Sequence, residues 1–444
     1  MRTQPKNIIR KIPGGLVLRR ATAKDADALA SFNAGVHGDD EQDGMRVATW
    51  TRDLLTRPHP TLTPSDFTIV EEETSGRIVS SLNLIPQTWS FEGIEFGVGR
   101  PEMVGTSPEY RGRGLVRMQF DEIHKWCAER GLPVQAITGI PYFYRQFGYT
   151  MALELARGRF GYEPQVPELK DGEEEPYLVR PAQEADLDFI AEVYRHATQR
   201  HTITCVRTPE IFRYELAGQS EDSVNHYPMV IIEDRSGERV GYMLLTNFLG
   251  TRGITAHWYE LRRGASWLEV TPSVVRYLWR LGQEYARREG KTCASFGFIG
   301  DTQHPVYQAL GEDLPTGRRP YAYFIRVPDL PGFLEHIKPA LERRLAESIA
   351  AGHTREIKLN FYRHGLRIHI EKGRIASIQS WKPVAKDEGD IAFPDPTFLQ
   401  AVFGYRSYDE LHQVYAECWC DHQEVHALIN ILFPKKLSDV FPLG

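Results

Sequence analysis

The stretch Met103-Val104-Gly105-Thr106-Ser107-Pro108-Glu109-Tyr110-Arg111-Gly112-Arg113-Gly114-Leu115-Val116 passes from strand to helix through a turn of small residues and two arginines. The strand is expected to end near Thr106 and the helix to begin near Gly114. Val116, Phe120, Ile123 and Cys127 then lie on one helical face, and Gly131 and Pro133 stop the run. Glycines in such a turn let backbone N–H groups approach a phosphate, and the helix N-terminus adds a favourable dipole. Arg111 and Arg113 would add charge-assisted hydrogen bonds. The pattern is that of an anion cradle.

Outward from this turn the sequence repeats. Leu18-Arg19-Arg20-Ala21, followed by Asp25 and Asp27, returns 161 residues later as Val179-Arg180-Pro181-Ala182, followed by Asp186 and Asp188. Thr68-Ile69-Val70-Glu71 with Ser75-Gly76 is matched by Val230-Ile231-Ile232-Glu233 with Ser236-Gly237, and Phe143-Tyr144-Arg145-Gln146-Phe147-Gly148 by Val306-Tyr307-Gln308-Ala309-Leu310-Gly311. Three matches in order at nearly constant spacing indicate a duplicated domain. In each copy a strand leads through an Asp-rich turn into an amphipathic helix, then a strand pair, a long strand, a helix and a strand, which predicts mixed α/β layers. Glu163–Pro176, rich in Pro, Glu and Gly, reads as the linker. After Pro328 the pattern changes. Leu334, Ile337, Leu341 and Leu345 form a helical stripe, and three alternating strands follow around Ile357–Phe361, Leu366–Ile370 and Ile375–Ile378. The expected fold class is α+β in three parts: 1–162, 177–328 and 329–444.

Arg111-Gly112-Arg113-Gly114 after a strand resembles the pyrophosphate loop of the GNAT acetyltransferase superfamily, with Val116 where that pattern has Gly or Ala. With Phe143-Tyr144-Arg145-Gln146-Phe147-Gly148-Tyr149 following, the chain resembles the enhanced-intracellular-survival branch. That branch carries two tandem GNAT domains, of which only the first is active, and a sterol-carrier-like C-terminal domain. The resemblance implies N-acetyl transfer from acetyl-coenzyme A to a primary amine of a small or polycationic acceptor, without a metal, in a homo-oligomer that is a hexamer in that branch. It implies coenzyme binding by Met103, Val104, Gly105 and Thr106, and by Arg111, Gly112, Arg113, Gly114, Leu115 and Val116. The Val104 N–H would stabilise the oxyanion, Tyr144 would serve as general acid, and the terminal carboxylate of Gly444 would be the base.

Each residue also has a plainer reading. Tyr144 would pack as a core aromatic beside Tyr142, Phe143 and Phe147. Strand alternation puts Glu102 on one face with Val104 and Thr106, as a base or as a salt-bridged side chain. Val440-Phe441-Pro442-Leu443-Gly444 is an apolar terminus of the kind that docks, with or without a chemical role. The third part offers no triad or metal cluster and is expected to be a scaffold. Cys418-Trp419-Cys420-Asp421-His422 lacks a second ligand pair at zinc spacing. Arg262-Arg263-Gly264 in the second copy reads as structural.

Composition narrows the class. A net charge of −6 over 444 residues argues against a general nucleic-acid binder. No apolar run reaches the ~18 residues of a membrane span. Five scattered cysteines and the absence of a hydrophobic leader point to the cytoplasm. The rival from another class is a non-catalytic acyl-coenzyme A or lipid-binding protein built on the same fold.

Overall fold

The computed structural model describes residues 7–140, 142–155, 158–250, 253–318 and 321–441. In chain order the first copy comprises β1 (Ile8–Ile12), β2 (Leu16–Arg20), α1 (Ala26–His37), α2 (Glu41–Thr56), β3 (Phe67–Glu72), β4 (Ile78–Phe91), β5 (Ile94–Thr106), α3 (Leu115–Glu129), β6 (Val134–Ile137) and β7 (Thr150–Leu155). The second runs through β8 (Gly158–Gly161), β9 (Tyr177–Pro181), α4 (Leu187–Thr198), β10 (Ile203–Cys205), α5 (Pro209–Arg213), β11 (Met229–Asp234), β12 (Arg239–Leu245), β13 (Ile254–Leu261), α6 (Trp267–Glu289), β14 (Phe296–Ile299), α7 (Pro305–Leu310), β15 (Thr316–Gly317) and β16 (Tyr321–Arg326). The third contains α8 (Leu330–Ala346), β17 (Arg355–Asn360), β18 (Gly365–Glu371), β19 (Arg374–Trp381), β20 (Ile391–Ala392), α9 (Phe398–Val402), α10 (Tyr408–Val414), β21 (Trp419–Cys420) and α11 (Gln423–Leu432).

Three sheets carry these elements, and the fold is mixed α/β. The first has the order β1-β2-β3-β4-β5-β6-β16-β7, with β10 paired to the far end of β4; the second is β15-β8-β14-β13-β12-β11-β9; the third is β19-β18-β17-β20-β21. The first two sheets exchange strands. β8, inside the 1–162 segment, pairs with β14 of the second sheet, and β16, inside the 177–328 segment, lies between β6 and β7 of the first. Sheet membership therefore does not follow those sequence limits.

The repeat is visible at atomic level. Arg19 on β2 bridges Asp25 and Glu71, both at 2.6 Å; Arg180 on β9 bridges Asp186 at 2.7 Å and Glu233 at 2.6 Å. In each copy the arginine ties its strand, β2 or β9, to the turn before the first helix and to the neighbouring strand.

In the third part Leu334, Ile337, Leu341 and Leu345 are fully buried against Ile357, Leu359, Leu366 and Ile368. That core is continuous with the first copy, because Phe333 packs edge-on against Phe96 at 5.2 Å and Arg344 bridges Glu92 at 2.9 Å. α8 thus seats the third sheet on the β4–β5 hairpin. The tail continues from there: Leu437 O accepts from Thr202 N–H, Asp439 N–H donates to Ile203 O, and Phe441 packs against Tyr227 and Trp258 of the second copy.

Candidate active site

β5 pairs with β6 at only two positions, Val98 with Val134 and Gly99 with Gln135. Beyond them β6 turns to its other neighbour, pairing Gln135, Ala136 and Ile137 with Arg326, Ile325 and Phe324 of β16. The backbone of 100–106 is left without a ladder partner on that side, so a wedge opens between β5 and β6. Pro101 lies in this segment and has no N–H to give.

On its other side β5 follows β4 with a bulge. Ser81 faces Gly105 but Asn83 faces Glu102, so β5 carries one extra residue there. Met103 sits at φ +52°, which is uncommon for any residue but glycine. Its side chain is buried among α1 and α2, where Asn33 Nδ2 donates to the Met103 Sδ at 3.2 Å. The bulge corrects the alternation expected for this strand. Glu102 faces Asn83, and Arg100 faces Ile85 in the α1–α2 cluster, whereas Val104 packs with the α3 cluster and Thr106 Oγ1 meets Ser80 Oγ at 2.8 Å. Glu102 and Val104 are therefore on opposite faces. The Glu102 carboxylate is bonded by the buried Arg100 guanidinium, two residues back on the same face.

The turn after β5 runs from Ser107 to Gly114, where the sequence places it. Pro108–Tyr110 form a single 3-10 turn, Gly112 and Gly114 adopt φ of +76° and +74°, and a Cβ at either would meet only open space. Arg111 Nε donates to Thr106 O and Arg113 Nη2 to Glu109 O, each at 3.3 Å. Neither forms an ion pair among the described residues, so both charges are available to an anion. α3 starts at Leu115, whose side chain is buried, while Val116 is half-buried against the α3 cluster.

Tyr144 sits on a short 3-10 turn, Phe143–Phe147, and is 5 % exposed. Its ring packs with Phe120, Phe143 and Phe324, and Val104 joins the same cluster. The phenol lies over Gly139, where a Cβ would come within 3.0 Å of the hydroxyl oxygen; Gly139 holds φ +131°. Gly139 thus makes the room that Tyr144 occupies. Sequence reasoning missed it, along with Arg100. The signal for Arg100 was its i, i+2 relation to Glu102 on a strand.

The second copy differs at each of these points. Its turn is shorter, since α6 begins at Trp267 after β13 ends at Leu261, and Arg262 is paired with Glu238 at 2.7 Å. The Tyr307 hydroxyl donates to Phe298 O at 2.9 Å, and burial pushes its phenol well above the ordinary value. Where β13 parts from β14, His257 and Asp301 meet Tyr323 and the tail residues Ser438–Phe441 around a cavity of only about 30 Å³. Tail residues thus line the place where these two strands of the second copy part. Gly444 lies outside the described residues.

Among the described residues no group of three or more His, Cys, Asp or Glu is placed to hold a metal, and no helix is long and apolar enough to cross a membrane.

No curated protein matches this sequence. The whole chain is similar in fold to a protein of Enterococcus faecalis V583 named as a probable N-acyltransferase, at 16% identity and a TM-score of 0.65, covering 95% of this chain and 96% of that one. It is likewise similar to a GCN5-related N-acetyltransferase from Kribbella flavida (14% identity, TM-score 0.60, 96% and 97% covered) and to one from Anabaena variabilis (13%, 0.62, 95% and 98%). At such identities the likeness concerns the fold. Residues 17–152, which hold the wedge, the cradle and Tyr144, match the family model of the acetyltransferase (GNAT) domain.

Proposed function

We propose that the protein is an N-acetyltransferase that moves an acetyl group from acetyl-coenzyme A to a primary amine. The observation that carries this reading is the parting of β5 from β6 beside Val104 and Tyr144, leading to a turn whose two guanidinium groups form no ion pair among the described residues. Backbone N–H groups of Gly112, Gly114 and the first turn of α3 suit a pyrophosphate. The backbone of 100–106, without a ladder on its β6 side among the described residues, suits an amide-bearing arm, and the Val104 N–H a developing oxyanion. The amine adds to the thioester carbonyl, the carbon–sulfur bond breaks, and the leaving thiolate takes its proton from Tyr144. A phenol has a reference pKa of ~10 and a thiol ~8.5, so a strong hydrogen bond precedes late transfer. Positioning in a ternary complex supplies the rest, without a covalent enzyme intermediate.

For the base we assign the terminal carboxylate of Gly444 in preference to Glu102, which is taken up by Arg100. Support comes from the tail's course. Cys205 Sγ donates to Phe441 O at 3.3 Å, and Cys205 neighbours Arg100. The sterol-carrier-like character of 329–444 and a hexameric assembly rest on the resemblance to the enhanced-intracellular-survival branch, and a cytoplasmic setting on the five scattered cysteines.

The test is a panel of aminoglycosides, polyamines, lysine peptides and small metabolic amines with acetyl-coenzyme A and detection of released thiol. Thiol release dependent on an amine is expected. Coenzyme binding with no release for any amine would favour the non-catalytic reading.

A further inference from the structure

His37 is the last residue of α1, which closes on Gly38 through a hydrogen bond from the Gly38 N–H to Ala34 O at 3.0 Å. Glycines seat this helix end. A Cβ on Gly38 would lie 2.5 Å from the Gly44 Cα of α2, and a Cβ on Gly105 would lie 2.7 Å from Val36 Cγ1 and 3.1 Å from His37 Nε2. Without a Cβ at either place, α1 closes on both α2 and β5. The imidazole therefore lies over the β5 backbone at Gly105, across the strand from the α3 cluster that takes the Val104 side chain.

Its surroundings suit a proton acceptor. The ring hydrogen-bonds to the Met103 backbone, while Nε2 is buried with no partner among the described residues. The bond at Met103 favours the charged ring, so the ring donates it, and the lone pair of the neutral imidazole falls to Nε2. Burial outweighs that bond and holds the imidazole below its ordinary value, so the ring is neutral near pH 7. The charged groups around it are engaged. On the α2 side, Asp40 Oδ1 accepts the Asp43 N–H at 2.8 Å, and Asp43 Oδ2 accepts the Asp39 N–H at 3.0 Å. On β5, Glu102 is held by Arg100, and in the turn beyond, Arg111 donates to Thr106 O. The carbonyl end of α1 favours the imidazolium once it forms.

An ammonium that becomes an amide loses two protons. The first leaves before attack, to the assigned carboxylate; the second leaves the nitrogen of the tetrahedral adduct, when that carboxylate is already protonated. Val104, whose N–H is assigned to the oxyanion, precedes Gly105, so an adduct held there neighbours Nε2. From this placement we infer that His37 Nε2 takes the second proton, an assignment that rests on the transfer reading. The carbon–nitrogen bond forms, the adduct nitrogen gives its proton to Nε2, the carbon–sulfur bond breaks, and the thiolate takes the Tyr144 proton. The imidazolium returns its proton through water to the Tyr144 phenolate. One proton is released in net, the one taken first by the carboxylate.

The test is kcat/KM against pH for the most active amine of the panel, in wild type and in His37→Asn. The asparagine N–H can still serve the Met103 carbonyl, but the side chain is no base. Wild-type kcat/KM should rise along an acid limb below pH ~6.5, since the base acts only when neutral. His37→Asn should lose that limb and about 10²-fold in rate, with coenzyme affinity and melting temperature unchanged. Added imidazole should restore His37→Ala at least about tenfold, and thiazole, a ring of like size and far weaker basicity, should not. In wild type, the His37 Cε1–H resonance should shift when the amine joins an unreactive thioether analogue of the coenzyme. No amine-dependent thiol release in wild type ends the transfer reading and this role together. With release present, an acid limb retained in His37→Asn, equal effects of imidazole and thiazole, or an unmoved resonance makes His37 a packing residue and overturns its role alone.

Discussion

The hydroxyl of Tyr323 donates a hydrogen bond to the carbonyl oxygen of Val440 at 3.3 Å. Tyr323 stands on β16, the strand that returns from the second copy to the first sheet, and Val440 on the tail of the third part. One contact therefore joins all three segments of the chain, at the place where β13 and β14 part.

Removing that contact should be measurable. Tyr323→Phe is expected to cost about 1 kcal/mol in urea unfolding, the usual worth of one buried hydrogen bond. Phe441→Ala strips the ring from Tyr227, Trp258 and the Arg207 guanidinium and should cost more, roughly 2–4 kcal/mol. If Phe441→Ala unfolds at the wild-type urea midpoint, the tail is not docked there in solution.

The two copies of the arginine network predict unequal losses. Glu71 and Arg19 have side chains only 2% and 9% exposed, whereas Glu233 and Arg180 are 20% and 34% exposed. Glu71→Gln should therefore destabilise by ~2–3 kcal/mol, because it takes one of two carboxylates from a buried guanidinium. Glu233→Gln should cost about 1 kcal/mol, since solvent screens the remaining charge. Equal losses would contradict the burial difference.

This network also shows what the sequence makes legible. Arg19, Asp25 and Glu71 recur at nearly constant spacing because a turn and a neighbouring strand hold them, and such geometry leaves a periodic trace. The strand-to-helix turn between Thr106 and Leu115 was readable for the same reason. Strand exchange was not: β8 is four residues and β16 six, and partner choice among such short strands is a non-local matter. The bulge escaped as well, since Met103 is an unlikely residue for positive φ and is held by Asn33 from a distant helix. Alternation therefore put Glu102 on the wrong face.

Stability should fall with acid in two stages. Burial pushes His124 and His257 down to about 4, with nearby Arg326 and Arg318 adding to the effect. In the unfolded chain each titrates near ~6.5, so between these values the unfolded state binds the extra protons and stability drops as pH falls. Asp25 behaves as an acid. Burial works to raise it, but hydrogen bonds from Arg19 and the Thr22 N–H outweigh that and hold it below the usual value; Asp186 is lowered first by its bond from Arg180. Their stabilisation is complete above the unfolded value of ~3.9 and is lost as pH falls through the folded one. Urea midpoints should decline gently below pH ~6.5 and steeply below pH ~4. His124→Gln should flatten the upper stage and leave the lower one.

The cradle makes a prediction about binding alone. Replacing Arg111 and Arg113 together by Ala removes two charges without touching a described ion pair, so the melting temperature should hold within a few degrees. Acetyl-coenzyme A affinity should fall by about tenfold or more, and its salt dependence should shrink. Calorimetry showing unchanged affinity would place the pyrophosphate elsewhere.

The two tyrosines at matching points of the duplication separate chemistry from architecture. Tyr144 lies over Gly139 and near Val104, beside the stretch where β5 and β6 part, and the Tyr307 hydroxyl donates to Phe298 O. Tyr144→Phe keeps the aromatic packing with Phe120 and Phe324 and deletes only the donor. With the most active amine of the panel, turnover should fall roughly 10²–10⁴-fold, the usual worth of a general acid, while coenzyme affinity and melting temperature barely move. Tyr307→Phe should do the reverse, losing about 1 kcal/mol of stability and leaving turnover near wild type. A mere packing role for Tyr144 would leave kcat unchanged in the Phe variant. The pH profile sharpens the distinction: a proton donor lost from the leaving-group side should make the residual rate depend on the thiol's own basicity, so acyl donors with better leaving groups should recover activity in Tyr144→Phe more than in wild type. Equal losses in both variants, or no selective recovery with the better leaving group, would remove Tyr144 from the chemistry and leave the wedge a binding site only.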